Sequence, residues 1–236
     1  MFNSNANKWI GKKYGEYKIV RLLGEGRFGI GYLAVTDQGE KVVIKRFKTR
    51  PFKKNKDKNA YEAIILSQLE NQAIPKLLGV ISDKDLYAFI LEYKPGHTVE
   101  NMIFIQKYKF QQREIYDIGC QLISIMKYLH REGVVHRDIR IPNILISDSK
   151  VSLVDFGLAR WYDGQNYLYD QDFSYLGDFL IYLHYTTFVK QQRKSLPWYR
   201  ELELTDRQIH LYKRMLRLEE PFSSIDELER NFKFAF

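Results

Sequence analysis

The sequence predicts an α+β fold with two lobes, in which a small antiparallel β-sheet with one helix precedes a larger, mainly α-helical lobe. Three observations predict it. From Tyr17 to Val43 short apolar runs are broken by glycines and by the turn sequence Asp37-Gln38-Gly39, which is typical of strands joined by tight turns. Farther along the chain, apolar residues recur at helical spacing instead. Lys94-Pro95-Gly96 interrupts the pattern between these two regions.

The first lobe is predicted to hold one helix and further strands. Residues 58–71 are expected to be helical, because their apolar residues share one face. Apolar runs at 76–81 and 86–93 fit two more strands. Residues 1–13 are expected to form a mobile tail in front of this lobe.

The second lobe contains the clearest helix, predicted from about Arg113 to His130. Its apolar residues repeat at helical spacing, and Gly133 is expected to end it. The predicted boundaries are a tail over 1–13, a first lobe over 14–93, a hinge over 94–97 and a second lobe over 98–236.

Length and composition predict a globular protein. The 236 residues can bury a large core, and 45% are hydrophobic while 28% are charged. The amino terminus lacks the pattern of a secretion signal, and no run of about 18 apolar residues could span a bilayer. The lone Cys120 excludes an internal disulfide and a multi-cysteine metal site. We therefore expect a soluble, cytoplasmic protein.

The positive charge of the chain is concentrated in one run. The formal net charge is +8, and the run Lys45–Lys58 holds eight basic residues and one acid. Such a run could face an acidic protein, an anionic membrane surface or, less favoured, a nucleic acid. A solvated loop is the simpler interpretation, so an anionic partner stays open.

A glycine-rich motif follows the first predicted strand. Gly24, Gly26 and Gly29 form the pattern G-x-G-x-x-G, and glycines allow backbone N–H groups to approach phosphates closely. A dinucleotide site would need a helix directly afterwards, whereas Tyr32–Val35 has the pattern of a strand. Two interpretations remain at this point, a phosphate-binding loop and a plain hairpin.

A lysine lies within the apolar strand sequence KVVIKRF. If Lys45 is flanked by buried positions, it needs an anionic partner to offset the cost of desolvation. Glu62 is the candidate, since it falls on the predicted helix with Leu66 one turn later facing the core. A surface lysine on an edge strand is the alternative.

Three oxygen-bearing side chains fall in two loops flanked by apolar, strand-like segments. Asp138 and Asn143 belong to VVHRDIRIPNILI, and Asp155 belongs to SLVDFGLAR. Hard cations such as Mg²⁺ prefer oxygen ligands, so these loops are candidates for a metal site.

In this order and at these spacings the motifs resemble the Hanks-type (eukaryotic-like) protein kinase family, over about residues 15–230. The resemblance implies ATP, Mg²⁺ or Mn²⁺ as cofactors, and a protein substrate. The ATP-binding residues that it implies are Gly24, Glu25, Gly26, Gly29, Lys45, Glu92, Tyr93 and Leu145. The catalytic residues that it implies are Lys45, Glu62, Asp138 as base, Arg140 and Asn143. The metal ligands that it implies are Asn143 and Asp155.

Arg140 departs from the serine/threonine class, which usually has a lysine at this position beside the transferred phosphate. An arginine can still neutralise charge there, and its planar fork can bind two oxygens at once.

The main departure from the family is a shortened activation segment, residues 158–171. Only 14 residues separate Gly157 from Asp172, which is about half the usual length, and the Ala-Pro-Glu motif is missing. Phe222 stands where the arginine that pairs with that motif's glutamate would be, so both halves of the ion pair are lost together.

The same segment changes the expected role of Arg137. Residues 158–171 contain no Ser or Thr that could be phosphorylated, although Tyr162, Tyr167 and Tyr169 remain. We therefore expect Arg137 to be structural, paired with Asp163 or Asp170.

Two positions over the implied adenine site also depart from the family. Gly31 and Val43 stand where valine and alanine are usual. We interpret this as an exchange of volume between two strands that leaves nucleotide affinity unchanged.

Three hypotheses about function follow. The leading one is an active serine/threonine-type protein kinase that also phosphorylates itself. The second keeps the chemistry but changes the acceptor to a small molecule or a nucleic-acid-associated partner. The third is a nucleotide-binding pseudokinase that serves as a scaffold.

Overall fold

The computed structural model describes residues 4–26, 29–47, 56–83, 86–189 and 196–236. The chain divides into two compact units, 1–94 and 95–236. Most of the basic run, residues 48–55, lies outside the described residues.

In the described part of the first unit the strands form one antiparallel sheet of six, in the order β1-β2-β3-β4-β6-β5. They are β1 Lys13–Tyr14, β2 Tyr17–Glu25, β3 Gly29–Val35, β4 Lys41–Phe47, β5 Leu77–Asp83 and β6 Leu86–Glu92. The described residues of this unit also form two helices, α1 Ser4–Asn7 and α2 Lys56–Gln68. The predicted strands and the predicted helix are thus present, with the helix starting and ending two to three residues early.

The predicted mobile tail is wrong for residues 4–13. Ala6 and Trp9 are buried in the core of the sheet, and the Tyr32 hydroxyl donates a hydrogen bond of 3.0 Å to the Ala6 carbonyl. The Trp9 ring stacks on Tyr14 at 5.7 Å, and the guanidinium of Arg46 lies 4.0 Å from its centre. The segment therefore covers one face of the sheet and packs against the strand that carries Lys45.

Replacing Trp9 by alanine should lower the stability of the protein by about 3 kcal/mol, because a side chain only 7% exposed leaves a cavity. Ile10→Ala is a matched control, since Ile10 is 43% exposed, and should change stability by less than about 0.5 kcal/mol. Urea unfolding of both variants checks this. Equal urea midpoints for the two variants would show that Trp9 contributes nothing to stability.

The second unit is mainly helical. Its helices are α3 Val99–Phe104, α4 Gln112–Arg131, α5 Asp170–Tyr185, α6 Trp198–Glu201, α7 Asp206–Met215 and α8 Ile225–Ala235. Its strands are β7 His97–Thr98, β8 Val134–Val135, β9 Ile144–Ser147, β10 Lys150–Leu153 and β11 Arg160–Trp161. They pair in the order β10-β9-β7, and β11 pairs with β8. The α+β fold class is confirmed.

Helix α4 is the centre of the second unit. It buries the apolar residues that predicted it, and it extends one residue beyond the predicted helix at each end. Gly133 follows it with φ +74°, a left-handed conformation that glycine adopts without strain. Within the residues that the structure describes, no helix combines the length and apolar character needed to cross a membrane.

Candidate active site

The glycine-rich motif forms a hairpin between β2 and β3. Gly24 pairs with Gly31, and the Gly26 N–H donates to the Gly29 carbonyl at 2.9 Å. Gly29 is required by close packing, because a Cβ there would lie 2.8 Å from the Arg46 carbonyl oxygen on β4. The hairpin is therefore held tightly against the strand of Lys45. Glu25 lies beside it in β2, opposite Ile30.

Lys45 forms the predicted ion pair with Glu62. Its Nζ donates to both carboxylate oxygens, at 2.6 and 2.8 Å. The Glu62 side chain is only 1% exposed. Strand β4 lies between β3 and β6, so the alternative of a lysine on an edge strand is wrong. The pair joins the middle of the sheet to helix α2.

Glu92 and Tyr93, two of the ATP-binding residues that the resemblance implies, lie at the end of β6 and directly after it. The Glu92 carboxylate accepts from the Lys76 N–H at 3.1 Å and pairs with Lys94 at 2.8 Å. The Tyr93 ring lies 5.7 Å from the Nζ of Lys41. The Glu92 N–H also donates to the Lys76 carbonyl at 2.9 Å, so both the backbone and the side chain of Glu92 hold the chain at Lys76.

In the second unit, Asp138 is held from two sides. Asn143 Nδ2 donates to its Oδ2 at 2.7 Å and to its carbonyl at 2.9 Å. Arg140 Nε lies 3.0 Å from its Oδ1. A short 3₁₀ turn, Ile141–Asn143, brings Asn143 back to Asp138. The carboxylate is therefore fixed in orientation and partly neutralised, while Arg140 itself is largely exposed.

The buried carboxylate of Asp172 anchors the loop in front of Asp138. It accepts the backbone N–H groups of His136 at 2.9 Å and of Arg137 at 2.7 Å. His130 Nε2 lies 3.1 Å from the same carboxylate. Arg137 has φ +66°, which is costly for a residue with a side chain and is sustained here by these bonds. Sequence reasoning missed His130.

His136 fills the space behind this loop. It is fully buried, and its ring meets Phe156 edge-to-face at 4.6 Å. Burial lowers the pKa of His136 below its ordinary value, so the ring is neutral at neutral pH. Its Nδ1 accepts the Asp138 N–H at 3.3 Å, so the ring both packs against Phe156 and holds the backbone of Asp138.

Asp155 and Asn143 lie on two adjoining loops. The Val154 N–H donates to the Asn143 carbonyl at 2.9 Å, which ties the segment before Asp155 to the Asp138 loop. Asp155 has φ +64°, and its Oδ1 accepts the Gly157 N–H at 3.2 Å. Leu145 lies on β9, opposite Thr98 and Ser152.

The donor set of these loops fits a hard cation. Because the amide nitrogen of Asn143 makes both of its hydrogen bonds to Asp138, the amide oxygen is its available ligand atom. The Asp155 carboxylate supplies the second set of oxygens. The described residues contain no group of three or more His, Cys, Asp or Glu side chains suited to a metal.

The prediction that Arg137 pairs with Asp163 or Asp170 is wrong. Asp163 instead accepts the N–H groups of residues 165–167, and these bonds lower its pKa to about 2. Asp170 pairs with Arg217 at 2.9 Å. The Arg137 guanidinium donates to the Leu158 carbonyl at 3.1 Å and lies 4.6 Å from the centre of the Tyr167 ring.

Phe222, which was expected to mark a lost ion pair, makes an aromatic contact with a cation. It is 3% exposed, and the Arg214 guanidinium lies 4.0 Å from its ring centre. Arg214 also binds Glu227 at 2.6 Å, and this bond is the main cause that lowers the pKa of Glu227 to about 2. Arg214 thus contacts Phe222 and also joins helices α7 and α8 through its ion pair with Glu227.

These features define a class of protein. A glycine-rich hairpin and a buried Lys–Glu pair lie in one unit, and a restrained aspartate with two candidate metal ligands lies in the other. This is the equipment of an ATP-dependent phosphotransferase with a kinase fold.

Comparison with known proteins identifies the family. A model of the protein kinase domain matches residues 17–180. The probable serine/threonine-protein kinase YbdM of Bacillus subtilis is 31% identical over 229 residues, which are 93% of this chain and 89% of that protein. The carbon catabolite-derepressing protein kinase of Saccharomyces cerevisiae is 33% identical over 170 residues, 70% of this chain and 26% of that protein. The human hormonally up-regulated neu tumor-associated kinase is 36% identical over 157 residues, 63% of this chain and 22% of that protein.

The chain belongs to the Hanks-type protein kinase family, as its motifs predicted. It is an ATP-dependent protein kinase of the serine/threonine type. The family uses ATP as substrate together with a divalent metal ion.

Proposed function

We propose that this chain uses Mg²⁺ to transfer the γ-phosphoryl group of ATP to serine or threonine hydroxyls of proteins, with Asp138 as the catalytic base. The observation that carries this proposal is the double restraint on the Asp138 carboxylate by Asn143 and Arg140. A base that is already oriented needs no rearrangement when the acceptor arrives.

Each unit supplies one part of the chemistry. In the first, Lys45 is fixed by Glu62 and is proposed to bind the α and β phosphates, with the glycine-rich hairpin donating backbone N–H groups. In the second, the Asn143 amide oxygen and the Asp155 carboxylate would hold Mg²⁺, which neutralises phosphate charge when bound.

Asp138 would take the proton of the acceptor hydroxyl as its oxygen attacks the γ-phosphorus of ATP, while the bond from that phosphorus to the β–γ bridging oxygen breaks and ADP leaves. Arg140 holds the opposite carboxylate oxygen through its Nε and is largely exposed, so, while Nε keeps Asp138 in place, its two terminal nitrogens would serve the transferred phosphoryl group. A planar fork suits two of its oxygens at once.

Phosphoryl transfer from γ-labelled ATP tests this proposal. Purified protein is incubated with Mg²⁺ or Mn²⁺, alone and with a generic protein acceptor, and the labelled amino acid is identified. Label on Ser or Thr that is absent with Asp138→Asn is the expected result. ATP turnover without labelled protein would indicate a small-molecule acceptor, and tight ATP binding without turnover would indicate a pseudokinase. Autophosphorylation, a cytoplasmic location and an anionic partner of the basic run stay predictions.

The exchange of volume between Gly31 and Val43 makes a separate prediction. Register places Gly31 opposite Lys45 and Val43 opposite Leu33, so the four positions belong to one face of the sheet. A Cβ on Gly31 would have its nearest neighbours at 3.9 Å, so the site has room for a Cβ without a clash.

Val43→Ala is therefore expected to weaken ATP binding several-fold, because each buried methylene contributes about 0.8 kcal/mol. Gly31→Val combined with Val43→Ala should restore the affinity. Titration with a fluorescent ATP analogue measures both. If Gly31→Val alone tightened binding several-fold, the exchange hypothesis would be wrong.

A further inference from the structure

A stack of three rings connects the activation segment to Asp172, whose carboxylate anchors the loop in front of Asp138. The rings of Tyr162 and Tyr169 are nearly parallel, with centres 4.4 Å apart, and Tyr169 stacks on His130 at 4.3 Å. His130 in turn contacts the carboxylate of Asp172 at 3.1 Å. That carboxylate holds the N–H groups of the two residues that directly precede Asp138.

Arg137 makes a second link between the same two segments. Its backbone is held at φ +66° next to Asp138, while its guanidinium reaches Leu158 and the face of Tyr167. Both contacts belong to the activation segment, residues 158–171. The position of Arg137, and with it that of Asp138, is therefore coupled to the conformation of that segment.

Tyr167 is itself fixed by its own loop. Its N–H donates to the Asp163 carboxylate at 2.9 Å, and the same oxygen accepts the N–H groups of Gln165 and Asn166. The start of the activation segment is also held in place, because β11 pairs with β8, directly before His136. The hydrogen bonds of the Asp163 turn and this strand pair thus present a ring face to Arg137.

We propose that Tyr167 is a positioning residue that holds Arg137, and through it Asp138, in the working conformation without phosphorylation of the chain. This inference rests on the proposed function. The face of an aromatic ring attracts a guanidinium as an anion would, although more weakly. Since residues 158–171 contain no Ser or Thr, no phosphorylated Ser or Thr of this segment could bind Arg137, and the ring of Tyr167 holds the guanidinium instead.

The test compares variants that differ in the ring but keep apolar volume. Tyr167→Phe retains an aromatic face, and Tyr167→Leu removes it. Tyr182→Ala is the control, because Tyr182 is an exposed tyrosine on α5. All proteins are produced with a phosphatase, and intact mass verifies that they carry no phosphate.

Two measurements are made on each protein. One is the steady-state transfer to a protein acceptor, as kcat and as KM for ATP. The other is amide hydrogen exchange of residues 134–146. We expect Tyr167→Leu to lower kcat two- to five-fold with KM for ATP unchanged, and to speed exchange in that loop. Tyr167→Phe and Tyr182→Ala should match the unmodified protein in both.

Three results would overturn the inference. The first is an unphosphorylated protein that gains most of its activity on phosphorylation. The second is a Leu variant that equals the unmodified protein in kcat and exchange, and the third is a Phe variant as impaired as the Leu variant. If no form transfers phosphate, the proposed function fails, and the exchange data still decide whether Tyr167 holds the loop.

Discussion

The Asp138→Asn variant is expected to transfer phosphate about 10²- to 10⁴-fold more slowly than the unmodified protein, with ATP affinity changed less than about twofold. Asparagine keeps the shape of the side chain and can still accept the Asn143 hydrogen bond through its oxygen. It cannot take a proton from a hydroxyl. The loss should therefore appear in kcat, measured with saturating ATP and a protein acceptor.

A control distinguishes this effect from a general change of charge. Asp148 lies in the exposed turn between β9 and β10 with φ +48°, a conformation that asparagine tolerates well. Asp148→Asn should leave kcat unchanged. If Asp138→Asn kept more than a tenth of the activity, Asp138 would not be the base.

The sequence predicted the elements whose pattern is local. Helix α4 was predictable to within one residue at each end because its apolar repeat is long and regular. Helix α1 was missed, since Ala6 and Trp9 are buried by contacts with Tyr32 and Arg46 on β3 and β4. No local pattern in the first 13 residues carries that information.

The candidate site shows the same division. Lys45 and Glu62 could be paired in advance, because an internal strand and the apolar face of a helix leave few alternatives. The partners of Arg137 could not, because charge alone favoured Asp163 and Asp170. Asp163 is instead used by the N–H groups of its own turn, a local competition that charge counting ignores.

His130 and Tyr169 were missed for a related reason. Each lies at the end of a helix region where a polar or aromatic residue is unremarkable in sequence. Their stacking becomes evident only when α4 and α5 pack side by side and bring His130 to Asp172. Anchoring residues of this kind are set by packing between distant segments.

Replacing Lys45 by methionine is expected to abolish phosphoryl transfer and to lower the free energy of unfolding by about 3–5 kcal/mol. The destabilisation arises because the Glu62 carboxylate, 1% exposed, would be left buried without this cation. Lys41→Met on the same strand is the control, since Lys41 is exposed and its loss should change stability by less than about 0.5 kcal/mol. Urea unfolding measures both variants.

The double variant Lys45→Met with Glu62→Leu separates the structural role of the pair from its catalytic role. Replacing a buried ion pair by apolar residues of similar volume is often neutral for stability, so the double variant should unfold near the unmodified protein. It should remain inactive, because phosphates would still lack the cation that Glu62 positions. If the double variant recovered activity, Lys45 would be a structural residue. If Lys45→Met were as stable as Lys41→Met, the ion pair would contribute little to the first unit, and its burial would have to be explained by its role with ATP alone.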